Sequence, residues 1–172
     1  MAFTNDILLE LKQEAAVTRR FLESVPFEKR DFKPNEKSET LGRLATHVAE
    51  IVAWWKETIL VSELNFIDFE PKEILSTEEL LSYFDGLLAE ALQVLSEAHE
   101  EDLNSDWSMR HGEEILFTLP KKQVLRTFCM NHLVHHRAQL GVYLRLVGVP
   151  VPAAYGPSAD SGDDVILATP YR

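Results

Sequence analysis

Three of the six histidines in this chain, His132, His135 and His136, fall within five residues, inside a long helical pattern. His132 and His136 are four apart. At ~3.6 residues per turn, that spacing puts both rings on one helix face, one turn apart. Two imidazoles so placed can hold one transition metal, and a third ligand must then come from elsewhere. His47 sits in another apolar helical stretch. Three neutral imidazoles would leave at least one coordination position open, which marks a catalytic rather than a structural site. An ion so held could activate water for hydrolysis or turn a thiol cosubstrate into a thiolate. Imidazole suits zinc, nickel, copper and iron alike, so ligand type does not settle the metal. The alternative is three core histidines hydrogen-bonded to carbonyls or carboxylates, because an unpaired buried polar group costs about 1–3 kcal/mol. Residue types and spacing leave both readings open.

Four long helical patterns must position these residues. The first runs from about Asn5 to Ser24, with Leu8, Leu11, Ala15, Thr18 and Leu22 as its buried stripe. Val25-Pro26 ends it. The second runs from about Glu39 to Ser62, with Ser38 as N-cap. On it, Leu44, His47, Ile51 and Trp54 share one face at 100° per residue. A loop from Glu63 to Leu75 follows. The third helix runs from about Thr77 to His99, capped by Ser76 or Thr77. The fourth runs from about Lys121 to Val147, after Pro120 and before Gly148 and Pro150. Trp107 to Arg110 and Ile115 to Leu119 flank His111-Gly112-Glu113-Glu114, a pattern for a small β-hairpin. The Pro-rich segment Val149 to Arg172 reads as an extended arm. The expected class is therefore all-α, a four-helix bundle with a small hairpin or loop before its last helix, in a single domain over residues 1–172.

On the fourth helix, Leu125, Phe128, His136, Gln139, Tyr143 and Leu146 lie near the His132 direction. Gln139 and Tyr143 could contact a substrate or simply pack. His135 could lie just behind the ligands, and Trp54 could form a pocket wall. Cys129 is one turn before His132 and reads as a buried structural thiol rather than a fourth ligand. Glu50, one turn after His47, is a weak candidate for a general base. Arg137 and Arg145 point away from the His132 face and are expected to bind the C-terminal arm or neighbouring loops.

The bulk properties narrow the partners. The chain has 172 residues and a formal net charge of −11. That charge disfavours nucleic acid and an anionic membrane surface as partners. One cysteine excludes an intramolecular disulfide and fits a reducing compartment. No signal peptide or membrane-length apolar run is evident, so a cytoplasmic location is expected.

The string His132-Leu133-Val134-His135-His136-Arg137-Ala138-Gln139 carries a family resemblance. So do Tyr143-Leu144-Arg145, the run Gly148-Val149-Pro150-Val151-Pro152-Ala153-Ala154-Tyr155-Gly156-Pro157-Ser158, and Leu41-Gly42-Arg43-Leu44-Ala45-Thr46-His47-Val48-Ala49. Together they resemble the DinB/YfiT-like family of metal-dependent proteins, distinct from the similarly named lesion-bypass polymerase. The resemblance spans almost the whole chain. It implies a four-helix bundle in up-down-down-up order. It also implies a divalent transition metal, nickel or zinc, held by His47, His132 and His136. Members include hydrolase-like proteins and thiol-dependent S-transferases, so the implied partners are a small-molecule substrate and a low-molecular-weight thiol, in a homodimer. A metal-binding stress-response module without turnover is the alternative.

Overall fold

The structure, a computed structural model, describes residues 3–161. Helix α1 spans Phe3–Glu23 and buries Ile7, Leu11, Ala15, Thr18, Phe21 and Leu22. This is the expected stripe, widened by Ile7 and Phe21 and with Leu8 only half-buried. Helix α2 spans Leu41–Glu50. Its N-cap is Thr40, not Ser38: the Arg43 amide donates to Thr40 Oγ1 at 3.1 Å. The chain before it folds tightly against the helix start, because the Gly42 amide donates to the Arg30 carbonyl at 2.8 Å. A Cβ at position 42 would meet Arg30 Cβ at 3.0 Å, tighter than side chains ordinarily pack, so glycine eases the approach.

The second long helix is not continuous. It turns at Ile51 and Val52 and restarts as α3, Ala53–Leu60. Helix α4 spans Thr77–Glu97, and Ser76 caps it as expected, accepting from the Glu79 amide at 3.1 Å. The last long helix has three parts. Helix α5 (Lys121–Val124) leads into a π-helical segment, Leu125–Asn131, and then into α6, His132–Leu146. Helix α6 packs on both α1 and α2, α4 packs on α1, α2 and α3, and one apolar core runs between them. That packing buries Leu133, Leu140 and Leu144 fully, while Val142 and Leu146 of the same helix stay exposed.

The expected all-α class is corrected. A three-stranded mixed sheet makes the fold α/β. Strand β2 (Asp106–His111) and strand β3 (Glu114–Pro120) form the anticipated antiparallel hairpin, with a bulge at Met109/Arg110 and Gly112 turning at φ +61. The third strand, β1 (Glu63–Asn65), comes from the segment expected to be loop and pairs parallel to β2. An isolated hairpin is marginal in water, and a third strand with an apolar face completes a stable sheet. Asn65 locks the arrangement. Its Oδ1 accepts from the Gly112 amide at 2.9 Å, and its Nδ2 donates to the Gly112 carbonyl at 3.3 Å. Trp107 and Met109 turn inward against Val124, while Ser108 faces out to Thr118. Three residues are too few to show a strand period, which is why β1 escapes the sequence pattern.

The described part of the C-terminal arm lies over α1 and α6. Arg137, 2% exposed, pairs with Glu14 at 2.6 Å and donates to the Tyr155 hydroxyl at 2.7 Å. Arg145 pairs with Asp160 at 2.7 Å. Both arginines therefore hold the arm, as expected from their face on the helix. Residues 162–172 of that arm lie outside the described residues. No described helix is long and apolar enough to cross a membrane.

Candidate metal centre

His47 projects from α2, His132 opens α6, and His136 follows one turn later. The packing of α2 against α6 brings the three rings together. Ring centroids are 5.3 Å apart for His47 and His132, 4.6 Å for His47 and His136, and 4.5 Å for His132 and His136. One ring nitrogen from each lies within 4.8 Å of those of the other two, so the cluster could hold a metal ion.

The surroundings keep the rings from protonating. Burial, followed by the neighbouring His136 and His132 rings, pushes the His47 pKa down to about 3. Burial, then His136 and His135, pushes His132 down to about 4. Burial also lowers His136, although its bond to Gln139 acts the other way. All three rings are thus held toward the neutral form that metals require. The Nδ1 atom of His132 is buried and meets no hydrogen-bond partner. The Phe128 backbone carbonyl only weakly offsets the lowering of that ring, consistent with a contact short of a well-formed bond. Three ring nitrogens held toward the neutral form and within 4.8 Å of one another are a donor set that fits a divalent ion.

Neighbouring groups orient the rings. The Oε1 atom of Gln139 lies 2.8 Å from His136 Nδ1. A carbonyl oxygen only accepts, so Nδ1 carries the hydrogen and the Nε2 lone pair is left free. Glu50, 4% exposed, places Oε2 at 4.0 Å from His47 Nδ1 and at 2.8 Å from Arg43 Nη1. Its other oxygen accepts from the Lys72 amide at 3.0 Å. Glu50 is therefore bound on both oxygens, which does not suit the general-base role considered for it.

Aromatic rings form the floor. Trp54 stacks on Phe128 at 4.6 Å with an interplanar angle of 11°, and lies 5.1 Å from His132. Phe66 meets Trp54 at 5.6 Å and Phe117 meets Phe128 at 5.5 Å. Phe66 follows β1 and Phe117 lies on β3, so the sheet buttresses the cluster from below. The π-helical segment ends immediately before His132, and such irregularities recur at functional sites.

Above the cluster lies a cavity of about 570 Å³. His47 and His136 reach it, with Lys37, Ser38, Glu39, Arg43, Leu44, Gln139, Val142 and Tyr143 around them. Of the expected pocket residues, Gln139 and Tyr143 line it, and the Tyr143 hydroxyl donates to the Glu39 carbonyl at 3.1 Å. Trp54 does not line it; it supports the histidines from beneath. His135 is exposed and touches the His136 ring at 4.8 Å without lining the cavity. Cys129 is fully buried, 3.7 Å from Thr58 Oγ1, with its thiol pushed up to about 12 by burial. That is a structural thiol, as expected. Sequence reasoning missed Arg43 and Lys37. Arg43 carried a usable signal, because it precedes His47 by one helical turn.

Fold and site together define an α/β protein with a three-histidine cluster able to hold a metal ion. The chain belongs to the DinB family, whose pattern matches residues 1–164. It is 25% identical over 150 residues to the uncharacterized protein YrdA of Bacillus subtilis strain 168, across 86% of this chain and 84% of that protein. Crystal structures of two DinB-like proteins share the fold. One is YjoA of Bacillus subtilis, with a TM-score of 0.66 and 20% identity over 87% of this chain and 96% of that one. The other, from Bacillus cereus ATCC 10987, has a TM-score of 0.65 and 21% identity over 87% and 95%.

Proposed function

We propose that this protein is a metal-dependent enzyme that uses His47, His132 and His136 as ligands, and that it acts on a small molecule as a hydrolase or a thiol-dependent S-transferase. The observation that carries this reading is the convergence of three imidazoles held toward the neutral form, two of which, His47 and His136, line a cavity large enough for a small substrate. Three-ligand sites with open positions are those that do chemistry. A divalent ion there, zinc or nickel, supplies Lewis acidity toward a water or a thiol.

The chain's own groups do the rest. Gln139 holds His136 in one tautomer. Trp54 and Phe128 exclude water from beneath the rings. Tyr143, with its hydrogen committed to Glu39, presents its oxygen as an acceptor toward the cavity. Because Cys129 is buried away from the cavity, a thiol in the reaction must be a cosubstrate.

The test loads the untagged protein with zinc or nickel. It is then screened with electrophiles plus low-molecular-weight thiols, and separately with ester and amide panels. Thiol-dependent product that disappears in His47→Ala supports transfer, and thiol-independent cleavage supports hydrolysis. No turnover in either panel overturns the enzymatic reading and leaves a metal-binding module.

A further inference from the structure

We propose that Arg43 anchors a carboxylate of the substrate, so that this site takes small molecules carrying a carboxylate a few atoms from the reacting group. The inference rests on the metal-site reading above and names its substrate class.

Arg43 and His47 are one turn apart on α2, and both line the cavity. The same oxygen, Glu50 Oε2, meets Arg43 Nη1 at 2.8 Å and lies 4.0 Å from His47 Nδ1. The guanidinium therefore lies alongside the histidine rather than out in solvent, and its side chain is 26% exposed. Glu50 is itself fixed, being 4% exposed and bonded through its second oxygen to the Lys72 amide. Arg43 is thus pinned through Nη1 on one side.

Among the described residues, no side chain or carbonyl engages Arg43 Nε or Nη2. Those two atoms form the edge of a guanidinium that takes a carboxylate in a two-pronged pair. Elsewhere in this chain the same edge does this, with Arg19 Nε and Nη2 both on Asp85 at 2.9 to 3.2 Å. Lys37 and Glu39 also line the cavity, both exposed and opposite in charge, so the fixed cation there is Arg43. A rigidly held fork beside neutral imidazoles is a recognition element for an anion, on a protein whose net charge of −11 otherwise repels anions.

The test uses zinc-loaded protein and two thiols of the same chain length, 3-mercaptopropionate and its uncharged methyl ester. Affinities are measured by calorimetry, with zinc content checked before and after. The wild type is expected to favour the carboxylate by at least tenfold. Arg43→Gln leaves Glu50 buried without its partner and is at risk of misfolding, so the decisive variant is Arg43→Gln/Glu50→Gln. It is expected to bind both thiols within about twofold of each other while keeping its zinc, and Lys37→Ala to retain most of the preference. Equal affinities in the wild type, or a preference that survives in the double variant, would overturn the assignment of Arg43 while leaving the metal site standing. Failure of the wild type to hold zinc overturns both readings, and the metal analysis identifies that case.

Discussion

The imidazole of His136 lies edge-on to that of His47, with centroids 4.6 Å apart and planes at 81°, although the two belong to separate helices. The packing of α6 on α2 brings them together. If both are ligands, loss of either must be felt by the metal and little by the fold. His47→Ala and His136→Ala should each lower zinc affinity by more than the roughly 10- to 100-fold that loss of an outer partner costs. Their circular dichroism should be unchanged. Metal analysis of untagged protein checks this, and unaltered metal content in either variant would remove that ligand.

Gln139 sits outside the ligand set but controls one member of it. With Gln139→Leu, the His136 ring loses the acceptor that fixes its tautomer. Zinc affinity should fall about tenfold, the lower end of the range for such partners. Gln139→Glu should restore it, because a carboxylate accepts the same hydrogen. Competition with a chromophoric chelator reads both.

The lowered histidine pKa values make the metal-free protein sensitive to mild acid. His47 near 3 and His132 near 4 stay neutral in the folded chain, while the same rings protonate near the ordinary value of 6.5 once unfolded. Between those limits the unfolded state binds more protons, so stability falls as pH drops. No contribution is expected above the ordinary value, and the loss levels off below about 4 for His132 and below about 3 for His47. The slope should be on the order of 1 kcal/mol per pH unit for each ring. Urea titrations from pH 7.5 to 5 should show it in the wild type and a flatter profile in His47→Ala/His132→Ala. Equal slopes would mean the rings are ordinary.

Arg137 belongs to a different task from its neighbour His136. Its guanidinium is buried between Glu14, Thr18 and Tyr155. Arg137→Ala removes one partner of a buried pair, which costs about 3–5 kcal/mol. It should also loosen the arm around Tyr155, giving faster proteolytic cleavage there. Zinc affinity in the folded variant should stay within about twofold of wild type, since the substitution faces away from the cluster.

Cys129 provides a control on the ligand count. A fully buried thiol raised to about 12 should not react with a disulfide reagent in the folded state, with or without zinc. One thiol should titrate on unfolding. Protection that appears only when zinc is bound would make Cys129 a fourth ligand.

Much of the site was legible because a helix is a one-dimensional ruler. Four-residue spacing alone put His132 and His136 on one face, and the same rule aimed Arg137 and Arg145 at the arm. Helix ends at Ser76 and near Gly148 followed from local hydrogen-bonding chemistry that needs no distant partner. Three other features lay beyond local rules. The break at Ile51 and Val52 and the π-helical turn before His132 are compromises with tertiary packing. Strand β1 exists only because β2 is there to pair with it.

Residue order by itself determined which side chains could share a helix face, and therefore that two imidazoles were available side by side. Whether His47 would join them and what lay beneath were decided by how α2, α6 and the sheet pack. The reason is physical. Spacing along a helix is set by covalent geometry, whereas contact between elements is set by burying apolar surface that the whole chain shares. The stacked pair of Trp54 and Phe128 and the parallel strand at Glu63–Asn65 both belong to that second kind.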